Sequence, residues 1–262
     1  MSKILVTAVI CYALIQGCRL WLQLYFKPEN NTLPWNPQNF EQPYPSIPVP
    51  AIILVIGFLG LLVLPSLFLA SEKDFRFTPE EVMSSCAISM MIWLMAFTFL
   101  TLIPNRSEKE YGITFDKFES QMQWGVAGYF LALPPTALIM VLSMFWRTSE
   151  DAHPYLQSLI ENPDPQLISS IAISAVFVAP LCEEMIFRVI IQSWLIQQTS
   201  YWQGVTITAL VFALVHGIDD AILLMPLSFV LGILYAQTRS YYAVLITHGL
   251  FNAINLSGLF VI

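Results

Sequence analysis

Apolar residues fill eight long stretches of this chain, at 4–24, 49–70, 84–103, 124–146, 168–196, 205–216, 221–236 and 241–262, and most charged residues collect between them. A helix rises about 1.5 Å per residue, so roughly 20 apolar residues cross the roughly 30 Å of bilayer hydrocarbon. Most of the stretches suit one crossing each. Two do not: 168–196 is too long for one simple crossing and contains Glu183, Glu184 and Arg188, while 205–216 is too short. Such irregularity is tolerated at membrane depth only against protein or a water-filled cavity. The pattern predicts an all-α polytopic membrane helix bundle of about eight transmembrane helices, with a wet site in its C-terminal third. It divides the chain into an N-terminal four-helix membrane region, 1–166, and a C-terminal core of site-bearing helices, 167–262.

Composition strengthens this reading. Of 262 residues, 56% are hydrophobic and 11% charged, against about 25% charged in soluble chains, so membrane lipid is the expected surroundings. The net charge of −7 offers no basic face for phosphates and excludes nucleic acid as a partner. Cys11, Cys18, Cys86 and Cys182 lie in apolar stretches without a CxxC pair, and are expected to be buried thiols.

The first stretch could pass for a secretory signal, but Gly17-Cys18-Arg19 stands where a small-x-small cleavage site belongs. It reads as a membrane helix with Arg19 snorkelling near its end. Residues 27–50 are rich in proline, with Trp35, Phe40 and Tyr44, and predict an irregular interfacial loop. Basic residues balance across the predicted crossings, with Lys3, Lys73, Arg76 and Arg147 on one side and Lys27, Arg106, Lys109, Lys117 and Arg239 on the other. They set no orientation. The Asn-x-Ser/Thr triplets at Asn30, Asn105 and Asn255 read as chance.

An ionisable group at mid-bilayer costs about 2.5–3.5 kcal/mol on insertion scales, so each needs a partner or a function. Such groups concentrate in three segments: Glu183-Glu184 with Arg188, Phe212 with His216, and His248 with Asn252. Glu184 and Arg188 are four apart, share a helix face, and predict a buried ion pair. Glu183 points about 100° away with no local cation, which leaves a carboxyl facing the interior that can take and return a proton. His248 and Asn252 put an imidazole and a carboxamide on one face, two groups able to donate to a developing oxyanion. Singly, each histidine also reads as a packing residue and Asn252 as interhelical glue. Phe212 is expected to pack, Asp219 and Asp220 to cap a helix beginning at Ala221, and His153 to be solvated.

Read in order, these segments give EExxxR, FxxxH and HxxxN, and the chain resembles the CAAX-protease and bacteriocin-processing (type II CAAX prenyl endopeptidase or Abi) family of intramembrane proteases. The resemblance covers about a third of the chain. It implies an eight-helix bundle around a water-accessible cavity and cleavage of a peptide bond near a protein C-terminus or in a membrane-associated peptide. Carried over by position, it implies that Glu183 activates water with help from His216, that His248 and Asn252 stabilise the oxyanion, and that Glu184 and Arg188 support the site.

Two histidines and a glutamate also match in kind a catalytic zinc set. If Glu183, His216 and His248 all ligate, the remaining base is Glu184, which Arg188 claims, and no HExxH is present. A reading with no metal or other cofactor is therefore favoured, with zinc as the alternative. Neither GxSxG nor GxGD occurs, so serine and aspartyl nucleophile chemistries are not expected. Two further readings stay open, a small proton-coupled transporter and a peptide-binding or immunity protein of the same fold.

Overall fold

The computed structural model describes residues 3–26, 44–68, 77–102, 107–146, 154–161 and 164–258. Most of the predicted loop 27–50, together with Asn30, Asn105, Lys73, Arg76, Arg106, Arg147 and His153, lies outside the described residues. The described chain is helical, with no strand among these residues. The elements are α1 (Lys3–Phe26), α2 (Val49–Phe68), α3 (Pro79–Thr101), α4 (Phe118–Ser143), a short α5 (Pro154–Glu161), α6 (Pro165–Gln198), α7 (Tyr201–Val215), α8 (Ile218–Thr238) and α9 (Tyr241–Gly258). Within the described residues, each of the eight apolar stretches lies largely on one of the longer helices. Among the described residues, five helices, α1, α3, α4, α6 and α8, are long and apolar enough to cross a membrane.

Local chemistry sets several helix starts. Thr78 accepts from the Glu81 N–H while the Glu81 carboxylate accepts from the Thr78 N–H, a reciprocal cap that opens α3 ahead of Pro79. Asp164 accepts from the Leu167 N–H at 3.1 Å and Pro165 follows, which opens α6. At α8 the expectation was different. The helix begins at Ile218, ahead of Ala221, with Gly217 at its cap and no side-chain cap bond, so Asp219 and Asp220 occupy its first turn. An acid in that turn, such as Asp220, suits the helix dipole.

Two prolines explain how α1 is held. Pro134 and Pro135 lie inside α4 and bring no N–H, which frees the carbonyls four residues earlier, those of Phe130 and Leu131. Trp21 of α1 donates from Nε1 to the Leu131 carbonyl at 2.9 Å. Gly17 lies against the Phe130 carbonyl, where any side chain would collide. Trp21→Phe is expected to weaken the α1–α4 contact by about 1 kcal/mol, a typical interhelical hydrogen bond in membranes, as read by denaturant unfolding in micelles.

One core cluster joins residues of both halves of the chain, including Val55, Leu100, Leu131, Met185, Phe187, Leu231 and Val244. Outside it, large apolar side chains face outward, such as Leu61 (75% exposed), Leu138 (60%) and Phe177 (68%). In water that surface would be costly, whereas lipid solvates it. The fold is that of a multi-pass integral membrane protein. The expectation of buried thiols holds for Cys86 and Cys182 and fails for Cys11 and Cys18, which are exposed on α1. An apolar helix face turned to lipid buries nothing in protein, and a small soft side chain is at home there.

Candidate active site

The long apolar stretch 168–196 is a single 34-residue helix, α6, whose hydrogen-bond ladder widens twice. Ser174–Val178 and Met185–Gln192 are π-helical, and Ala179–Glu184 between them is α-helical. Wide turns upset the regular pairing of carbonyls with N–H groups and recur at functional sites. Here neighbouring side chains take up two carbonyls. Asn252 of α9 donates from Nδ2 to the Ala175 carbonyl at 2.8 Å. Tyr241, at the start of α9, donates to the Leu181 carbonyl and accepts from Trp93 Nε1 at 3.0 Å. At Gly249 a Cβ would lie 2.9 Å from the Val176 carbonyl, so glycine is what lets α9 reach α6 between His248 and Asn252.

Glu183 and Glu184 leave this helix in different directions into different surroundings. Glu184 is fully sealed: Oε2 accepts from Arg188 Nε at 3.0 Å, and Oε1 lies 2.7 Å from His248 Nδ1. The pair expected from the spacing is formed, and it extends to a third residue on another helix. Arg188, also fully sealed, donates from Nη2 to Ser228 Oγ of α8 at 3.0 Å. Its guanidinium carbon lies 5.1 Å from the centre of the Phe212 ring. Phe212 packs, as expected, against Phe187 at 5.0 Å, and its ring also lies 4.7 Å from that of His216 and 5.8 Å from that of His248.

Glu183 is partly open, with 23% of its side chain accessible, and His216 is similar at 22%. Its Oε2 lies 3.7 Å from His216 Nε2 and 3.9 Å from His248 Nε2. The other ring nitrogen of each histidine is committed. His216 Nδ1 lies 2.7 Å from the Phe212 carbonyl, which can only accept, so Nδ1 carries a proton. His248 Nδ1 donates likewise to the Glu184 carboxylate. Both Nε2 atoms therefore converge on the partly open acid, at separations too long for a direct hydrogen bond and well suited to a bridging solvent molecule. Asn252, one turn beyond His248, spends one amide hydrogen on Ala175 and keeps the second.

His216 ends α7, and Gly217 turns the chain into α8 at φ 99° and ψ 153°, a region open in practice to glycine alone. Gly217→Ala is expected to cost about 1–3 kcal/mol and to displace His216, as read by unfolding in micelles beside the wild type.

Among the described residues, no three His, Cys, Asp or Glu side chains form a metal-binding group. The donor set of Glu183, His216 and His248 is right in kind for zinc, but using it leaves no carboxylate for base chemistry. Both oxygens of Glu184 are occupied, by Arg188 and by His248. The residues do not fit a catalytic metal with its own base. Sequence reasoning missed Ser228, Tyr241 and Trp93. A lone serine on the apolar α8 was the one visible signal among these.

Residues 165–254 match the family model described as type II CAAX prenyl endopeptidase Rce1-like. That segment contains all three motifs. The chain is also 24% identical, over 207 residues covering 76% of it and 82% of the other protein, to "Putative membrane peptidase YdiL" of Bacillus subtilis (strain 168). No solved structure matches it.

Proposed function

We propose, from the match of residues 165–254 to that endopeptidase family, that this protein is an intramembrane endopeptidase that cleaves a membrane-associated or lipidated peptide with water activated by Glu183. Membership of a membrane protease family is what the two likenesses support. The observation that carries the finer reading is the convergence of His216 Nε2 and His248 Nε2 on the accessible Glu183 carboxylate, while Glu184 is sealed behind it.

A water seated among these groups gives a proton to Glu183 as its oxygen bonds to the peptide carbonyl carbon. His216, fixed at Nδ1 by the Phe212 carbonyl, keeps Nε2 beside that acid and holds the water in line. Negative charge passes to the carbonyl oxygen, where the free amide hydrogen of Asn252 donates. His248 donates from Nε2 in its doubly protonated form, whose charge faces the Glu184 carboxylate. The tetrahedral adduct then breaks its C–N bond, and the proton held by Glu183 goes to the departing nitrogen. No step needs a second carboxylate.

Purified protein assayed in detergent against a lipidated peptide separates this chemistry from the metal alternative. Activity is expected to survive extended treatment with a strong chelator. Loss under chelation with recovery on adding zinc would overturn the metal-free reading.

A further inference from the structure

The buried pair of Glu184 and Arg188 does not end on its own helix. Among the described residues, Arg188 Nη1 has no hydrogen-bond partner. Nε is spent on Glu184, and the ring of Phe212 on α7 lies 5.1 Å from the guanidinium carbon, so Ser228 Oγ at 3.0 Å is the hydrogen bond that ties the guanidinium to a second helix. Ser228 is itself fully buried. The seam between α6 and α8 is tight around it: Gln192 Nε2 donates to the Gly232 carbonyl at 2.8 Å, and a Cβ on Gly232 would lie 3.0 Å from Gln192 Oε1 and 3.7 Å from Arg188 Nη1. One glycine, a turn beyond Ser228, thus lets α8 come close enough for the hydroxyl to reach the guanidinium.

We propose that Ser228 is a positioning residue, which fixes the Arg188 guanidinium so that Arg188 holds Glu184 and Glu184 in turn holds the proton of His248 on Nδ1. The order of contacts is Ser228 Oγ, Arg188 Nη2 and Nε, Glu184 Oε2 and Oε1, then His248 Nδ1. Each link fixes the next. A planar guanidinium anchored at two edges cannot swing, so the Glu184 carboxylate it grips is fixed in rotation and its second oxygen is presented to the imidazole. Once Nδ1 is so bound, Nε2 is the ring atom left facing Glu183 at 3.9 Å. The consequence for hydrolysis rests on the function proposed above, whereas the geometry of the relay does not.

The chain has only three histidines, so ring 15N NMR of the full-length protein in nanodiscs, with labelled histidine, resolves them individually. His153→Gln and His216→Gln identify the signals. In the wild type, His248 is expected to show a strongly hydrogen-bonded Nδ1 proton. Ser228→Ala is expected to abolish that signal and to populate the form protonated on Nε2 alone. Ser228→Thr, which keeps the hydroxyl, is expected to retain it.

Ser228→Cys puts a weak acceptor of similar size at the position and repeats the test should the alanine variant fail to fold. Ser193→Ala removes another buried hydroxyl, one that touches the Arg188 carbonyl instead of its guanidinium, and is expected to leave His248 unchanged. An unaltered His248 signal in both Ser228→Ala and Ser228→Cys, or an equal change in Ser193→Ala, would overturn the proposal. A protein that shows the relay yet cleaves nothing would overturn the proposed function and leave this inference standing.

Discussion

Glu183→Gln is expected to lower peptide cleavage by about 10²–10⁴-fold, the usual contribution of a positioned general base, while leaving the fold intact. Glutamine keeps the size and the hydrogen-bonding shape of the side chain but cannot take a proton from water. The distances explain why stability should be spared. Neither histidine nitrogen is in direct hydrogen-bond contact with Glu183, at 3.7 and 3.9 Å, so no direct hydrogen bond of the folded state is lost. Neutralising an acid at membrane depth removes a desolvation cost and gives up its attraction to the two imidazoles, so unfolding in micelles should show a variant close in stability to the wild type. Cleavage and stability therefore part company at this position. A variant that lost both together would make Glu183 a structural residue.

Arg188→Ala is expected to do the reverse in stability, destabilising the protein by about 3–5 kcal/mol, because removing one partner strands the other charge in the interior. Both side chains are fully sealed, so the Glu184 carboxylate has no solvent to turn to. Arg188→Lys should recover little. An ammonium is a compact point charge, and it cannot reproduce the two edges that meet Glu184 Oε2 and Ser228 Oγ together. Replacing both partners, as Glu184→Gln with Arg188→Met, should restore much of the stability. Cleavage should stay low, since His248 Nδ1 would have lost its carboxylate partner. Unfolding curves and cleavage rates of the single and double variants, measured side by side, distinguish an ion pair that only stabilises from one that also orients a catalytic imidazole.

Much of this arrangement was legible in the sequence. Spacing alone put Glu184 and Arg188 on one helix face, and the structure joins them at 3.0 Å. The misfit lengths of 168–196 and 205–216 pointed to irregular helices in the C-terminal third, and α6 with its two π-helical segments and the short α7 are what they became.

What the sequence did not show is where each polar group finds its partner. A stretch apolar on all sides has no periodicity from which a widened turn could be read, so the carbonyls taken by Asn252 and Tyr241 were invisible. The reach of Glu184 to His248 joins residues 64 positions apart, and only the packing of α9 on α6 decides it. Likewise, Ser228 carried no spacing signal, because its partner lies 40 residues away. Asp219 and Asp220 looked like caps by composition, but Gly217, free to adopt a positive φ, started the helix earlier.

The central claim is that Glu183 works on a peptide bond within the membrane. Cells producing the wild-type protein and cells producing Glu183→Gln, at matched levels, can be compared for the termini of their membrane peptides by mass spectrometry. New termini are expected in the wild-type sample and absent from the variant. Identical termini in both would contradict the account.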